Sequence, residues 1–137
     1  MASRKQGEII GRFRERYGAP LAEAALAVER EVIGANVGAN GYTTLAQADD
    51  LIGLLGLKRG SRLLDIGAGR GWPGLYLAAK SACEVVLADV PDTSLASAVL
   101  RADEQRLGRL ASCVRATGER LPFRAGSFDA ITHTDTL

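Results

Sequence analysis

Two carboxylates and one glycine turn carry the residue types in this chain best suited to chemistry. In the stretch LLDIGAGRGWPG, Asp65 closes an apolar run, and Gly67, Gly69 and Gly71 then alternate with Ala68 and Arg70. Glycine at alternate positions lets a backbone turn tightly and pass very close to a ligand. A second acid, Asp89, closes the apolar run VVLAD twenty residues after Gly69. A carboxylate at that point can accept both hydroxyl hydrogens of a ribose at once. The competing reading of this acid, that Asp89 or Asp92 caps the following helix, rests on the same residues.

The ligand's charge separates the candidate nucleotides. A dinucleotide fingerprint requires a small residue at the last position of G-x-G-x-x-G, where helix and strand pack closely. Trp72 stands there instead. A diphosphate in the turn would also approach Asp65. Like unit charges at ~5 Å, with an effective dielectric of ~20, repel by roughly 3 kcal/mol. A Walker loop is excluded, because no G-K-[ST] follows the glycines. Reversing the ligand's charge reverses the sign of the interaction. A cofactor with an ammonium and a sulfonium but no phosphate, S-adenosylmethionine, therefore suits Asp65. Asp89 points to adenosine without separating that cofactor from a nicotinamide one.

These residues need a scaffold, and the hydrophobic pattern predicts it. GEIIGRFRERYG repeats Ile9, Phe13 and Tyr17 at helical spacing with arginines on the other faces. Pro20 opens a second helix that breaks at Gly34, Gly38 and Gly41. Thr44 and Gln47 form a capping box ahead of LAQADDLIGLL. Strands follow around Arg62 to Ile66, in EVVLAD, in SCVRA and in FDAITH, alternating with helices from about Pro73 and from Pro91. In the last helix Ala96, Val99, Leu100, Leu107 and Leu110 are expected to face inward. The near-continuous apolar strands suit a parallel sheet. The expected fold is α/β, a Rossmann-like doubly wound, mainly parallel sheet of order 3-2-1-4. Residues 1–41 form a helical extension or lid, and residues 42–137 form the binding domain.

Composition narrows the partners. The 137 residues include 47% apolar ones and carry a net charge of +1. That is enough for one core, without a field to grip nucleic acid or an anionic membrane. There is no apolar run of membrane-spanning length and no signal-peptide core. Cys83 and Cys113 have no CxxC spacing and read as reduced thiols of a cytoplasmic protein. No metal-ligand cluster is visible.

LLDIGAGRGWPG, VVLADV and GERLPFRAGSFDAITH together resemble the class I S-adenosylmethionine-dependent methyltransferases, of the small-molecule type that includes quinone-biosynthesis enzymes. The resemblance runs from Tyr42 to the C-terminus. It implies that Asp65 lies near the methionine end of the cofactor and that Gly67, Ala68, Gly69 and Gly71 form the turn around it. It further implies that Asp89 holds the ribose, that Val90 lies beside the adenine, and that Thr117, Gly118 and Glu119 flank the adenine edge. His133 and Thr134 would meet the methionine moiety through backbone groups. Gly41 to Thr44, with Tyr42 and Thr43, resembles a lid strip at the amino-acid end.

The sequence departs from the family at Thr117, where many members carry Asp, and in stopping after the fourth strand where the family's sheet usually has seven. The expectation is a C-terminally truncated domain. Its fourth strand presents an unpaired edge, to be covered by the N-terminal helices, by a second copy of the chain or by an absent portion. Methyl transfer needs alignment of two reactants and, for some acceptors, a base. His133, the only histidine, is the candidate base. Trp72 is expected to brace the loop and Tyr76 to pack. The leading function is methyl transfer to a small-molecule acceptor. The alternatives are a non-catalytic remnant that binds cofactor or a protein partner, and a nicotinamide-dependent oxidoreductase.

Overall fold

The four apolar runs of the second half pair side by side as parallel strands. In the computed structural model, which describes residues 7–8, 11–12, 15, 22–39 and 41–134, these are β1 (Arg62–Ile66), β2 (Glu84–Asp89), β3 (Ala111–Arg115) and β4 (Ala130–Thr132). Their order is β3-β2-β1-β4. The helices are α1 (Glu23–Ile33), α2 (Leu45–Leu54), α3 (Gly74–Ser81) and α4 (Asp92–Glu104). The apolar positions Ile9, Phe13 and Tyr17 of the first expected helix, and Pro20, lie outside the described residues.

The sheet is wound in two directions. From β1 the chain steps through α3 to β2 and through α4 to β3, then returns to the far side of β1 as β4. Right-handed crossovers place these two windings on opposite faces. Side-chain alternation agrees with this. Leu63, Val85 and Leu87 share one core with Ala48, Leu75, Leu77, Ala98 and Ala102 from the helices. Leu64, Val86 and Ala88 point the other way and meet Leu121, Phe123 and Phe128. The fold is therefore Rossmann-like and doubly wound, with an irregular segment as the crossover from β3 to β4. The winding reverses at β1, which opens a crevice beyond the carboxyl ends of the strands.

Local chemistry fixes the approach to that crevice. Gly34 ends α1 in the left-handed conformation at φ 103°. The Glu29 carboxylate then accepts the N–H groups of Val37 (3.1 Å) and Ala39 (2.6 Å), folding the glycine-rich loop back on α1. Thr44 Oγ1 accepts the Gln47 N–H at 3.2 Å, and the Gln47 side chain accepts the Thr44 N–H at 2.9 Å, completing the expected capping box.

Two expectations change. On α4 the inward face is Ser94, Leu95, Ala98 and Ala102, whereas Val99 and Leu100 are 46% and 64% exposed and Ala96 is also exposed. Small residues let the helix approach the sheet closely, and the bulky pair is left outside. Of the other expected positions, Leu107 is buried beyond the helix end and Leu110 is half-buried. The run FDAITH supplies only three strand residues. Phe128 is diverted onto Phe123, edge-on at 5.0 Å between centroids, and Asp129 Oδ2 accepts the Arg62 N–H at 2.7 Å.

The two faces of α4 should respond oppositely to substitution. Ala98→Leu, which overfills the helix–sheet contact, should cost roughly 1–3 kcal/mol. Leu100→Lys should stay within about 0.5 kcal/mol of the parent. Urea denaturation midpoints at unchanged slope check both.

Candidate functional site

The chain leaves β1 at Ile66 and stays against β2, because Gly67 and Ala68 donate their N–H groups to the Ala88 carbonyl at 2.8 and 3.2 Å. Gly67, Gly69 and Gly71 all have positive φ, at 70°, 55° and 99°. Gly71 is required on steric grounds as well: a Cβ there would lie 2.5 Å from Leu75 Cδ1. Its N–H closes the turn on Ala68 O at 2.8 Å, and its carbonyl accepts the Leu75 N–H at 2.8 Å to start α3.

Asp89 lies at the end of β2, facing the turn. Oδ2 accepts the Gly69 N–H at 2.7 Å, and Oδ1 accepts the Val90 N–H at 2.7 Å. The residue is half-buried. Burial raises its pKa, and these two N–H groups oppose the rise. A carboxylate has about four lone-pair sites, so each oxygen keeps capacity for one more donor. Asp89 does not cap α4. That helix follows Pro91 without a side-chain cap, and Asp92 Oδ1 accepts the Thr93 N–H at 3.0 Å.

The next connection folds toward the same place. Ala116 N–H donates to Asp89 O at 3.0 Å, and Arg120 N–H to Thr117 O at 3.1 Å, closing a turn. A Cβ on Gly118 would stand 3.4 Å from Ile66 Cγ2, so this turn lies beside the end of β1. Val90 and Thr117 are half-buried and Glu119 is exposed. Thr132 pairs with Asp65 in register, and the exposed His133 follows at the tip of β4. Tyr42 is 81% exposed, and the Thr43 carbonyl accepts the Trp72 indole N–H at 2.9 Å. The structure thus gathers the glycine turn, Asp89, Val90 and the 117–120 turn at the sheet's carboxyl edge, with the 42–43 strip fastened beside the glycine turn.

Asp65 is placed differently from the sequence expectation. It is 1% exposed, and both of its oxygens are engaged within the protein. Oδ2 accepts the Gly74 N–H at 3.0 Å, and Oδ1 accepts the Thr132 hydroxyl at 3.1 Å. Burial pushes its pKa up to about 7; the Thr132 and Gly74 hydrogen bonds oppose this rise, and the charge of Asp89 adds to it. The carboxyl therefore faces inward, behind the turn, and presents no surface with which to greet a cationic ligand. The acid precedes the glycines because it holds the first N–H of α3 and ties β4 to β1.

That arrangement still disfavours phosphate, for a different reason. A helix N-terminus binds anions through its free N–H groups. Here Asp65 already occupies Gly74, and the amides of Gly67, Ala68, Gly69 and Gly71 are all engaged within the chain. Gly74 also supplies the close helix–strand contact that the dinucleotide fingerprint assigns to its last glycine. A Cβ there would lie 2.6 Å from both Asp65 Oδ2 and Leu87 Cδ2. Sequence reasoning missed Gly74 and Thr132. A glycine nine residues after the acid was a signal for the first, whereas the second needed the β1–β4 register.

Comparison with known proteins places this geometry. A methyltransferase-domain family model matches residues 64–137. The fold is similar to that of geranyl diphosphate C-methyltransferase from Streptomyces coelicolor A3(2), solved with Mg2+, geranyl diphosphate and S-adenosyl-L-homocysteine. The match has 21% identity and a TM-score of 0.71, over 97% of this chain and 55% of that one. YcgJ from Bacillus subtilis is 29% identical over 63% of this chain and 36% of its own, with a TM-score of 0.58. An S-adenosylmethionine-dependent methyltransferase from Geobacter sulfurreducens, in complex with S-adenosyl-L-homocysteine, is 22% identical over 66% of this chain and 36% of its own, at 0.53. The chain spans about a third to just over half the length of these structures.

The inward carboxyl should leave a mark on stability. The unfolded chain releases the Asp65 proton near pH 4 and the folded chain near pH 7, so between those values the folded state holds more proton and loses stability as pH rises. Asn at this position can accept from Gly74 and donate to Thr132 without titrating. The stability of Asp65→Asn relative to the parent should therefore rise by up to about 4 kcal/mol from pH 4 to 8 and level off outside that window. Urea denaturation across that range measures the difference, and a flat difference would contradict the placement.

Proposed function

Because the chain belongs to the methyltransferase-domain family, we propose that it binds S-adenosylmethionine at the glycine turn and serves methyl transfer to a small-molecule acceptor. The observation that carries this reading is Asp89: a half-buried carboxylate at a strand end, fixed by the Gly69 and Val90 N–H groups, with one acceptor site left on each oxygen. Two ribose hydroxyls match those sites. The cofactor fits the turn better than a diphosphate does, since the amides of Gly67, Ala68, Gly69 and Gly71 are already engaged within the chain. S-adenosyl-L-homocysteine in the Streptomyces and Geobacter structures supports the same choice.

In this reading Val90 and the Thr117, Gly118 and Glu119 turn border the adenine, and the backbone at His133 and Thr134 meets the methionine end. Gly67, Ala68, Gly69 and Gly71 let the chain approach the ligand. Asp65 acts from behind, fixing Gly74 and Thr132. The cofactor supplies a methyl group activated by its sulfonium, and the protein's part is alignment. His133, exposed at the tip of β4, is the candidate base for acceptors that must lose a proton.

The net charge of +1 favours a small acceptor over a nucleic acid. The geranyl diphosphate enzyme is similar over 97% of this chain, which is compatible with a small-molecule acceptor. Residues 1–41 are read as a helical extension or lid to the binding domain of residues 42–137. The free thiols Cys83 and Cys113 suit a reducing cytoplasm. No helix among the described residues is long and apolar enough to cross a membrane. Ile131 on the edge strand is 55% exposed, and a second copy of the chain is one cover for that edge, which sedimentation would reveal as a dimer.

Calorimetry should give saturable binding of S-adenosylmethionine and S-adenosyl-L-homocysteine. Asp89→Ala should weaken it at least about tenfold, the scale of a lost charge-assisted hydrogen bond. Tighter binding of NAD, or an unchanged affinity in Asp89→Ala, would overturn the reading. Binding without turnover on a panel of acceptors would leave a cofactor-binding module.

A further inference from the structure

Trp72 sits immediately after Gly71 and is 8% exposed. Its indole N–H donates to the Thr43 carbonyl at 2.9 Å. Its ring lies 5.4 Å from that of Tyr76, and the Tyr76 hydroxyl donates to Asp49 Oδ1 at 2.7 Å, within α2. Thr44, the next residue, is fixed by the capping box. Residues 43 to 49 are thus bound at two points, to Trp72 ahead of α3 and to Tyr76 within it. On the other side, Glu29 holds the amides of Val37 and Ala39. Between these two anchorages lies Tyr42, 81% exposed.

The choice of tryptophan carries information. A phenylalanine could also face Tyr76, but the larger indole adds one N–H donor, and a buried donor needs an acceptor. The acceptor is a backbone carbonyl of the strip, and the donor belongs to the turn and not to the body of the helix. The strip's main chain is therefore tied to the very element that closes around a ligand.

We propose that Trp72 is a positioning residue: its indole N–H on the Thr43 carbonyl fastens the Gly41–Thr44 strip to the glycine turn, so that seating of the strip and occupation of the turn favour each other. The tether stands on the geometry alone, and the coupling to occupation rests on the reading of the turn as the S-adenosylmethionine site. Coupling between two such events is reciprocal.

Two readouts apart from activity test this. The chain has one tryptophan, so its indole N–H gives a single assignable NMR signal. In the parent protein that proton should exchange at least about tenfold more slowly than free indole, as a closed hydrogen bond requires. Tyr42 offers chymotrypsin an exposed cleavage site on the strip itself. Trp72→Phe should speed cleavage after Tyr42 by about fivefold or more, and S-adenosylmethionine should protect the parent by a similar factor and the variant much less. Calorimetric affinity for the cofactor should fall about fivefold in Trp72→Phe. Tyr76→Phe, which releases α2 but not the strip, should change the cleavage rate less than about twofold, separating the tether from general loosening.

Free-indole exchange in the parent, or parent-like cleavage of Trp72→Phe, would overturn the tether. Faster cleavage with undiminished affinity and protection would overturn the coupling. If the parent binds no S-adenosylmethionine, the reading of the turn fails, and the tether is then decided by indole exchange and basal cleavage alone. If Trp72→Phe lacks a cooperative melt, indole exchange in the parent decides.

Discussion

One buried carboxyl holds the carboxyl edge of this sheet together. Asp65 bonds the first N–H of α3 with one oxygen and a hydroxyl on β4 with the other, from a position on β1. Three elements, one of them 67 residues away, meet at that side chain. Burial alone would make the charged form expensive, and its pKa of about 7 records how far the two hydrogen bonds fall short of offsetting that cost. Such a clamp also demands room. Gly74 must lack a side chain, because a Cβ would overlap the carboxylate it binds. The glycines of the turn and the glycine of the helix therefore answer two different constraints: positive φ in the first case, close approach in the second.

The clamp changes what the turn can recognise. A glycine-rich connection between strand and helix ordinarily offers a set of unengaged amides to an anion. In this protein the chain's own acids and carbonyls have taken them: Asp65 at Gly74, Asp89 at Gly69, Ala88 at Gly67 and Ala68, and Ala68 at Gly71. Asp89 keeps acceptor capacity on each oxygen. With those amides engaged, the turn is less suited to an anion, and the proposed ribose contacts fall to the Asp89 carboxylate. Diphosphate is disfavoured here as the sequence suggests, but Asp65 is buried behind the turn and does not face a ligand. Amide accounting replaces like-charge repulsion as the physical reason.

The features legible in the sequence were those whose causes are local. The capping box of Thr44 and Gln47, the breaks at Gly34 and Gly38, the apolar strands and the strand-end acid Asp89 each follow from a few neighbouring residues. The doubly wound α/β class followed from the alternation of strands and helices. What escaped depended on distance. The inward turn of Asp65 is set by a threonine 67 residues away, in register across β1 and β4. The face of α4 was misread because burial there is decided by closeness to the sheet, which selects Ser94, Ala98 and Ala102 over the larger Val99 and Leu100. The strand FDAITH was read too long because Phe128 packs with Phe123 over the sheet face, and only Ala130–Thr132 continue as a strand beside β1.

The second winding explains why the crevice is so unevenly walled. The face carrying Leu63, Val85 and Leu87 is closed by helices, and those helices set the glycine turn and the strip that leans on it. The opposite face is closed by Leu121, Phe123 and Phe128 on an irregular segment, and that same segment carries the turn at Thr117 to the end of β1. One connection therefore does both tasks: its aromatic half covers the sheet, and its polar half borders the crevice. Packing and site geometry are coupled in that stretch. A loosening of the Phe123–Phe128 contact would shift the wall near Asp89 as directly as a change in the wall itself.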